Sequence, residues 1–346
     1  MERPSVHRSN TEVLDADEAK DIYIASGSAY PDFTDATARS IGIEAGPILR
    51  KKHPNGELYV RFEESVRGKD VFVIQSHIGT SGMSPNDAIM EQCLMIDAAR
   101  SSSAGEITAV APYLGYGRQD RKSKGREPIG TRVVLDQLAG AGAGRIISVD
   151  MHSPQAQAIF RGPFDHLTAQ PLLRQAMAEE VGNLSPDECV VVSPDAGAAK
   201  MTERHRMCLG MGMFVMTKMR DPLDSQKISR LDTFPEVEGR TCLLFDDMID
   251  TAGTLTSAAE ALISSGAQGV YVAATHGILS DPAIERLKDA PIERILVTDT
   301  YDMSAAKAEL GDRLRVVSAA PIVGKAILQI VRNGSVSSLF DDQNHG

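Results

Sequence analysis

The stretch Leu243–Thr254, LLFDDMIDTAGT, decides the fold. Its apolar head predicts a strand, and the strand ends in two carboxylates, Asp246 and Asp247. A short turn follows, built from Asp250, Thr251, Ala252, Gly253 and Thr254, and then a helix. In open α/β sheets ligands bind at the carboxyl ends of strands. Small residues after Asp250 let backbone N–H groups close around a phosphate, and the helix dipole favours the same charge. Thr251 and Thr254 add hydroxyl donors. The two aspartates repel a phosphate but suit neutral hydroxyls, such as a ribose diol, or a metal. The stretch therefore reads as a sugar-phosphate site, with an acidic side for hydroxyls and a loop side for phosphate. A bare helix cap at Asp250 would use some of the same residues, but it would not call for two adjacent acids at the strand end.

Comparable strands lie on both sides. VFVIQS from Val71, ITAVAPY from Ile107, RIISVDM from Arg145 and CVVVSPD from Cys189 precede or accompany TCLLFDD from Thr241. GVYVAATH from Gly269, ERILVTD from Glu293 and RLRVVS from Arg313 follow it. Continuous Val/Ile/Leu runs, without strict alternation, indicate strands covered on both faces, as in a parallel sheet flanked by helices. Ile89, Cys93, Ile96 and Ala99 share one face of an intervening helix, and Leu255, Ala258, Ala259 and Leu262 share one face of another. VFVIQS, a helix, SSAGEITAVAPY and RIISVDM match CLLFDD, a helix, SSGAQGVYVAATH and RILVTD in order and in their Ser-Gly helix ends. This predicts two copies of one α/β unit. The expected organisation is a loose extension over residues 1–20, domains over 21–165 and 166–340, and a polar tail over 341–346.

The chain has 346 residues, enough for about two domains. Its formal net charge of −11 speaks against a general nucleic-acid or anionic-membrane binder, because phosphate backbones demand net positive surface. No apolar run approaches the length of a membrane helix, and the polar start lacks the apolar stretch of a secretory signal. Cys93, Cys189, Cys208 and Cys242 are scattered without a CxxC pair, which argues against a structural zinc site or a disulfide framework and for a reducing cytoplasm.

Against that acidic background, GRQDRKSKGR packs Arg118, Arg121, Lys122, Lys124 and Arg126 into ten residues after the strand end APYLGYG. Such a focused patch attracts a polyphosphate, and the arginine fork suits its oxygens. His152 follows the strand IISVD and Asp195 follows VVVSP, again at strand carboxyl ends. The residues alone favour a structural histidine at 152, since His is a minority ligand for a hard cation. Lys218 and Arg220 stand at the root of a polar stretch containing Pro222 and Pro235, which reads as a long mobile loop able to close over a site. His53–Glu57, HPNGE, reads as a hairpin turn. His77 and His276 read as structural.

LLFDDMIDTAGT resembles the phosphoribosyl pyrophosphate loop of the type I phosphoribosyltransferase fold. GELYVRFEESVRG, APYLGYGRQDRKSKGREPI, SVDMHS, VVSPDAG and FDDMIDTAGT occur in the order and spacing of the ribose-phosphate pyrophosphokinase family, from about Gly56 to Phe340. The resemblance implies an α/β chain of two similar phosphoribosyltransferase-like domains, each a mainly parallel sheet flanked by helices. It implies transfer of a pyrophosphoryl group from ATP to the C1 hydroxyl of ribose 5-phosphate, with Mg²⁺ as cofactor. On that resemblance Arg118, Gln119 and Asp120 contact ATP together with His53, Asn55, Gly56 and Glu57. Asp246, Asp247, Asp250, Thr251, Ala252, Gly253, Thr254 and Arg220 hold ribose 5-phosphate, His152 and Asp195 hold the metal, and Lys218 and Arg220 are the catalytic loop pair. Arg67, Ser335, Ser337 and Phe340 match a regulatory phosphate and ADP site between subunits, and the resemblance implies dimers assembled into a hexamer. The chain departs from the family at Met219, where a second cation is usual, at His53, where another aromatic is common, and at Asn55, where Asp is usual. Two rival readings stay open on the sequence: a single-domain nucleobase phosphoribosyltransferase and a non-catalytic regulatory paralogue.

Overall fold

The computed structural model describes residues 12–340 except 80–81, 183, 196, 217–218, 221–227 and 231–233; for 219–220 and 228–230 the backbone alone is described. The chain forms two units, Met1–Thr168 with Ser318–Gly346, and Ala169–Val317.

Unit 1 opens with α1 (Ala16–Lys20), started by a capping box. The Asp15 carboxylate accepts from the backbone N–H of Asp17 and Glu18, each at 2.9 Å, and the Glu18 carboxylate accepts from Asp15 N–H at 2.8 Å. The expected loose extension over 1–20 is therefore corrected for Ala16–Lys20; residues 1–11 lie outside the described residues. Then follow β1 (Ile22–Ser26), α2 (Pro31–Ser40), β2 (Ile48–Lys52), β3 (Leu58–Phe62) and β4 (Asp70–Ile74). After these come α3 (Pro85–Ser101), β5 (Ile107–Ala111), α4 (Gly130–Ala141), β6 (Arg145–Val149) and β7 (Phe164–Leu167). Five strands make one parallel sheet in the order β1-β4-β5-β6-β7, while β2 and β3 form a separate antiparallel hairpin. Strands β1 and β5 are buried at every position, as their unbroken apolar runs require. The expected face of α3 is buried at Ile89, Ile96 and Ala99, with Cys93 packed at its margin.

Unit 2 begins with α5 (Gln170–Val181), β8 (Cys189–Ser193), α6 (Ala199–Leu209) and β9 (Gly212–Val215). Strands β10 (Met219–Arg220) and β11 (Ile228–Arg230) pair antiparallel, so the backbone near Arg220 is a short ribbon where an open loop was expected. Next come β12 (Thr241–Ile249), α7 (Gly253–Ser264), β13 (Gly269–Gly277), α8 (Ala283–Asp289), β14 (Arg294–Thr298), α9 (Ser304–Leu310) and β15 (Leu314–Val317). The six-stranded sheet is parallel, in the order β15-β14-β13-β12-β8-β9. Side chains alternate across β12. Cys242 and Leu244 pack with Ala258, Ala259 and Leu262 of α7, whereas Leu243 and Phe245 pack with Leu173, Ala176 and Met177 of α5. Burial of each large apolar side chain contributes about 1.5–3 kcal/mol.

The expected duplication shows in the topology. β1, β4, β5, β6 and β7 correspond in order to β8, β12, β13, β14 and β15, and unit 2 adds β9 at one edge. The C-terminal boundary differs from the expected one at 340: α10 (Ala320–Val331) belongs to unit 1. The cause is close packing on α2. A Cβ at Gly324 would fall 2.0 Å from Ser40 Oγ, so only glycine permits that approach. Among the described residues no helix is long and apolar enough to cross a membrane.

Candidate active site

In unit 2 the decisive stretch folds as strand, turn and helix. β12 ends at Ile249 and α7 starts at Gly253, with Ala252 between them at φ 59°, ψ 0°. Ala252 is the residue before the helix and no side chain caps it, so Asp250 is not the helix cap. A left-handed alanine costs about 1–3 kcal/mol, and a left-handed residue beside right-handed ones is the backbone pattern from which anion-receiving concavities of N–H groups are built. Arg286 of α8 holds this turn: its Nη1 donates to the Thr251 carbonyl at 2.9 Å. The same nitrogen lies 3.1 Å from where a Cβ on Gly253 would stand, which makes any larger residue crowd the buttress. Thr251 and Thr254 are exposed beside it. Nothing in the sequence pattern pointed to Arg286, because its role exists only through the packing of α8 on α7.

The acids gather at the carboxyl ends of the adjacent strands β12 and β8. Asp246 Oδ1 accepts from Asp247 N–H at 2.9 Å. Gln170, at the start of α5, donates to the Asp246 carbonyl at 3.3 Å and to Thr275 Oγ1 at 3.0 Å, tying β12 to β13. Asp195 Oδ1 accepts from Gly197 N–H at 2.9 Å and Ala198 N–H at 3.2 Å, which shapes the turn ahead of α6. Burial, then the neighbouring charge of Asp247, with a smaller part from Asp195, pushes the Asp246 carboxyl up to about 7. Behind Asp246, the buried His205 ring of α6 stacks on Phe245 with centroids 3.8 Å apart and planes 9° apart. This stack joins α6 to β12.

In unit 1 the matching strand ends carry the cationic loop. The chain after β5 turns at Tyr116, φ 61°. The Tyr116 carbonyl accepts from Gln119 N–H at 2.9 Å and from Thr131 Oγ1 at 2.6 Å. Further on, Glu127 accepts from Ser123 N–H and Lys124 N–H at 2.8 Å each. Arg118, Gln119, Arg121, Lys122, Lys124 and Arg126 are exposed, and Asp120 is half-buried. Beside the loop lies a cavity of about 340 Å³ lined by Tyr116, Gln119, Asn86, Ile89, Met90 and Val133. A larger cavity of about 470 Å³ in unit 2 lies at the amino ends of β14 and β15, among Arg294, Arg315 and Glu180. Those charges are already paired, and ligands of parallel sheets bind at the opposite end.

The hairpin of β2 and β3 presents His53, Asn55, Gly56 and Glu57 on an exposed tip. His53 N–H donates to the Glu57 carbonyl at 2.7 Å, Gly56 takes φ 93°, and the His53 and Tyr59 rings meet edge to face at 6.1 Å. His152 is exposed just after β6. Lys218 lies outside the described residues, and Arg220 is described only as backbone of β10. At the C-terminus Ser335 and Ser337 hydroxyls lie 2.9 Å apart, Arg67 is exposed and Phe340 is buried. The structure thus brings Asp195, Asp246, Asp247 and the 250–254 turn to one end of unit 2, and Arg118, Gln119, Asp120 and His152 to the strand carboxyl ends of unit 1.

Fold and turn together define an α/β chain of two phosphoribosyltransferase-type units. Residues 22–142 match the N-terminal domain of ribose phosphate pyrophosphokinase, and residues 195–341 match the phosphoribosyl synthetase-associated domain. The ribose-phosphate pyrophosphokinase of Streptomyces coelicolor is 42% identical over 324 residues, covering 94% of this chain and 97% of that one. That of Bifidobacterium longum is 43% identical over 338 residues, covering 96% and 97%. The crystal structure of phosphoribosylpyrophosphate synthetase from Mycobacterium smegmatis superposes with a TM-score of 0.81 at 39% identity, covering 91% of this chain and all of that one. The chain belongs to the ribose-phosphate pyrophosphokinase family. A match that spans both units sets aside the single-domain nucleobase phosphoribosyltransferase and favours the catalytic reading over the regulatory paralogue.

Proposed function

We propose that this chain transfers the β,γ-pyrophosphoryl group of ATP to the C1 hydroxyl of ribose 5-phosphate, giving 5-phosphoribosyl 1-pyrophosphate and AMP. The observation that carries the reading is the carboxyl-terminal part of β12, where the paired acids Asp246 and Asp247 precede, within the same strand, a left-handed, arginine-backed turn. The turn residues Asp250–Thr254 take the 5-phosphate through backbone N–H groups and the Thr251 and Thr254 hydroxyls. Asp246 and Asp247 accept from the ribose hydroxyls. Arg118 and Gln119, with Asp120 and the tip residues His53, Asn55, Gly56 and Glu57, take ATP, the guanidinium reading the phosphates.

In the reaction the C1 oxygen attacks the β-phosphorus, the bond from β-phosphorus to the α,β-bridging oxygen breaks, and AMP departs with that oxygen. The C1 hydroxyl loses its proton to solvent water as the new oxygen–phosphorus bond forms. Little covalent work falls to the protein; alignment and charge stabilisation dominate. Lys218 and Arg220 neutralise charge on the transferring group. Asp195 and the acids at the end of β12 are hard oxygen donors, and among the described residues no three side chains form a metal cage of their own. That donor set fits Mg²⁺, which keeps water and substrate phosphates among its ligands. The resemblance assigns a metal contact to His152 in unit 1 and to Asp195 in unit 2, and when bound the ion would supply further neutralisation of phosphate charge.

The enzyme works in the cytoplasm as a homo-oligomer, dimers assembled into a hexamer, and Arg67, Ser335, Ser337 and Phe340 belong to a regulatory phosphate and ADP site. The direct test of the catalytic pair is Lys218→Ala. Turnover, read as AMP release, falls by about two orders of magnitude or more, while calorimetric binding of ribose 5-phosphate stays close to wild type. Normal turnover in that variant would remove Lys218 from the mechanism.

A further inference from the structure

Beneath the nucleotide loop of unit 1 lies a fully buried polar pair, His77 and Gln92. Gln92, on α3, donates through Nε2 to two strand carbonyls, Val73 of β4 at 2.9 Å and Val110 of β5 at 3.1 Å. Carbonyl oxygens only accept, so the amide nitrogen must face the sheet and Oε1 must face His77, 2.7 Å from its Nε2. Nε2 therefore carries the proton and Nδ1 is the acceptor. Nδ1 receives the backbone N–H of Gly115 at 3.2 Å. The backbone of His77 reinforces the contact by donating to the Tyr113 carbonyl at 3.0 Å. Burial lowers the His77 ring to about 4, so it stays neutral at physiological pH.

Gly115 is pressed onto this ring. A Cβ there would stand 2.8 Å from His77 Cβ and 3.3 Å from both the His77 carbonyl and Ile89 Cδ1. The next residue is the left-handed Tyr116, whose carbonyl gathers Gln119 and Thr131, and Arg118 lies between. One chain of contacts thus runs from the sheet carbonyls through Gln92, His77 and Gly115 to Arg118 and Gln119. We propose that the His77–Gln92 pair is the positioning device of the nucleotide loop: its fixed tautomer sets the height of Gly115 over the sheet and so the reach of Arg118 and Gln119 toward a nucleoside triphosphate. His77 touches no substrate; it acts through Gly115. The inference rests on the assignment of Arg118 and Gln119 to ATP.

The test uses the full chain, with the analogue α,β-methylene-ATP, inert at the bond the reaction breaks, with Mg²⁺, and ribose 5-phosphate, titrated separately. His77→Leu removes both ring hydrogen bonds; His77→Asn returns an acceptor where Nδ1 stood. His77→Leu weakens nucleotide binding by about tenfold, ribose 5-phosphate binding changes less than about twofold, and His77→Asn regains most of the loss. Exchange of the Gly115 amide quickens in His77→Leu and slows again in His77→Asn. Wild-type nucleotide affinity in His77→Leu, or equal loss of both ligands along with thermal stability, overturns the proposal. A ¹⁵N-histidine spectrum of the wild-type chain serves if His77→Leu does not fold, since a proton on Nδ1 instead of Nε2 also overturns it. Failure of the underlying ATP assignment looks different: Arg118→Ala would then leave nucleotide affinity unchanged.

Discussion

Asp246 joins a pH-dependent contribution to stability to the ribose contact proposed for it. Its carboxyl is raised to about 7 by burial and the neighbouring acids, so the folded chain holds a proton there that the unfolded chain has lost above about 3.9. Between those values the native state binds more protons, and stability falls as pH rises. Asp246→Asn, neutral at every pH, raises the melting temperature at pH 8 relative to wild type. The charged form is the better acceptor for ribose hydroxyls, so ribose 5-phosphate affinity of the wild type climbs as pH passes through about 7. In Asp246→Asn that climb shrinks to what the ligand phosphate alone produces, and calorimetry across pH 6–8 measures it. An unchanged slope would remove Asp246 from the hydroxyl site.

His205 carries the opposite sign. Burial, with the charges of Arg174 and Arg204, lowers it to about 3, and His77 lies at about 4. The unfolded chain takes up these protons below about 6.5, so stability is full above that pH and drains away as pH falls toward 4 and then 3. His205→Phe keeps the ring stack on Phe245 without a titrating group, and acid unfolding shifts to lower pH. The sequence reads His77 as structural, but the partners of both rings lie far away in the chain. His205, within KMTERHRMCL, gains its ring partner only when α6 is laid against β12.

Among the elements, strands with continuous apolar runs were legible because both faces meet helices, and all eight expected strands are present. The missed ones fail that criterion in instructive ways. β2 (ILRKK) and β3 (LYVRF) form a hairpin whose outer positions stay exposed, so the runs are mixed. β7 (FDHL) is polar because its partners come from elsewhere: Arg145 pairs with Asp165 at 2.6 Å, and His166 accepts from Met151 N–H at 2.9 Å. β1 (IYIAS) is an exception: it is buried at every position but abuts the polar head of the chain. The capping box before α1 was readable at Asp15 and Glu18, whereas the tie of that helix to α10 was not. Glu18 meets Arg332 at 2.8 Å with both side chains nearly buried. The Arg332 guanidinium holds the Glu18 carboxyl below its ordinary value of 4.5, so this tie contributes stability above that pH and loses it as pH falls further. Arg332→Ala destabilises unit 1 by about 1.5–3 kcal/mol at pH 7 in urea unfolding, and the difference from wild type narrows below pH 4.5.

For the whole molecule the charge balance and the site chemistry pull in opposite directions. A net charge of −11 repels anionic substrates at long range. The exposed cations from Arg118 to Arg126 reverse that locally. Nucleotide affinity therefore weakens with added salt, and the weakening is smaller in Arg121→Ala, read from calorimetric titrations between low and physiological ionic strength. The strand, turn and helix of the unit 2 half could be read from twelve contiguous residues, because they follow one another directly. The supports of that half, Arg286 and Gln170, lie far away in sequence and become visible only when helices pack. The boundary of unit 2 was misjudged for the same reason, since Gly324 signals its contact with α2 only in three dimensions.

The central claim concerns which phosphorus is attacked. Purified chain, ATP, Mg²⁺ and ribose 5-phosphate followed by ³¹P NMR settle it. The account predicts equimolar AMP and a new sugar pyrophosphate doublet pair with no ADP. ADP with a sugar bisphosphate, or no ribose-dependent loss of ATP, would contradict it.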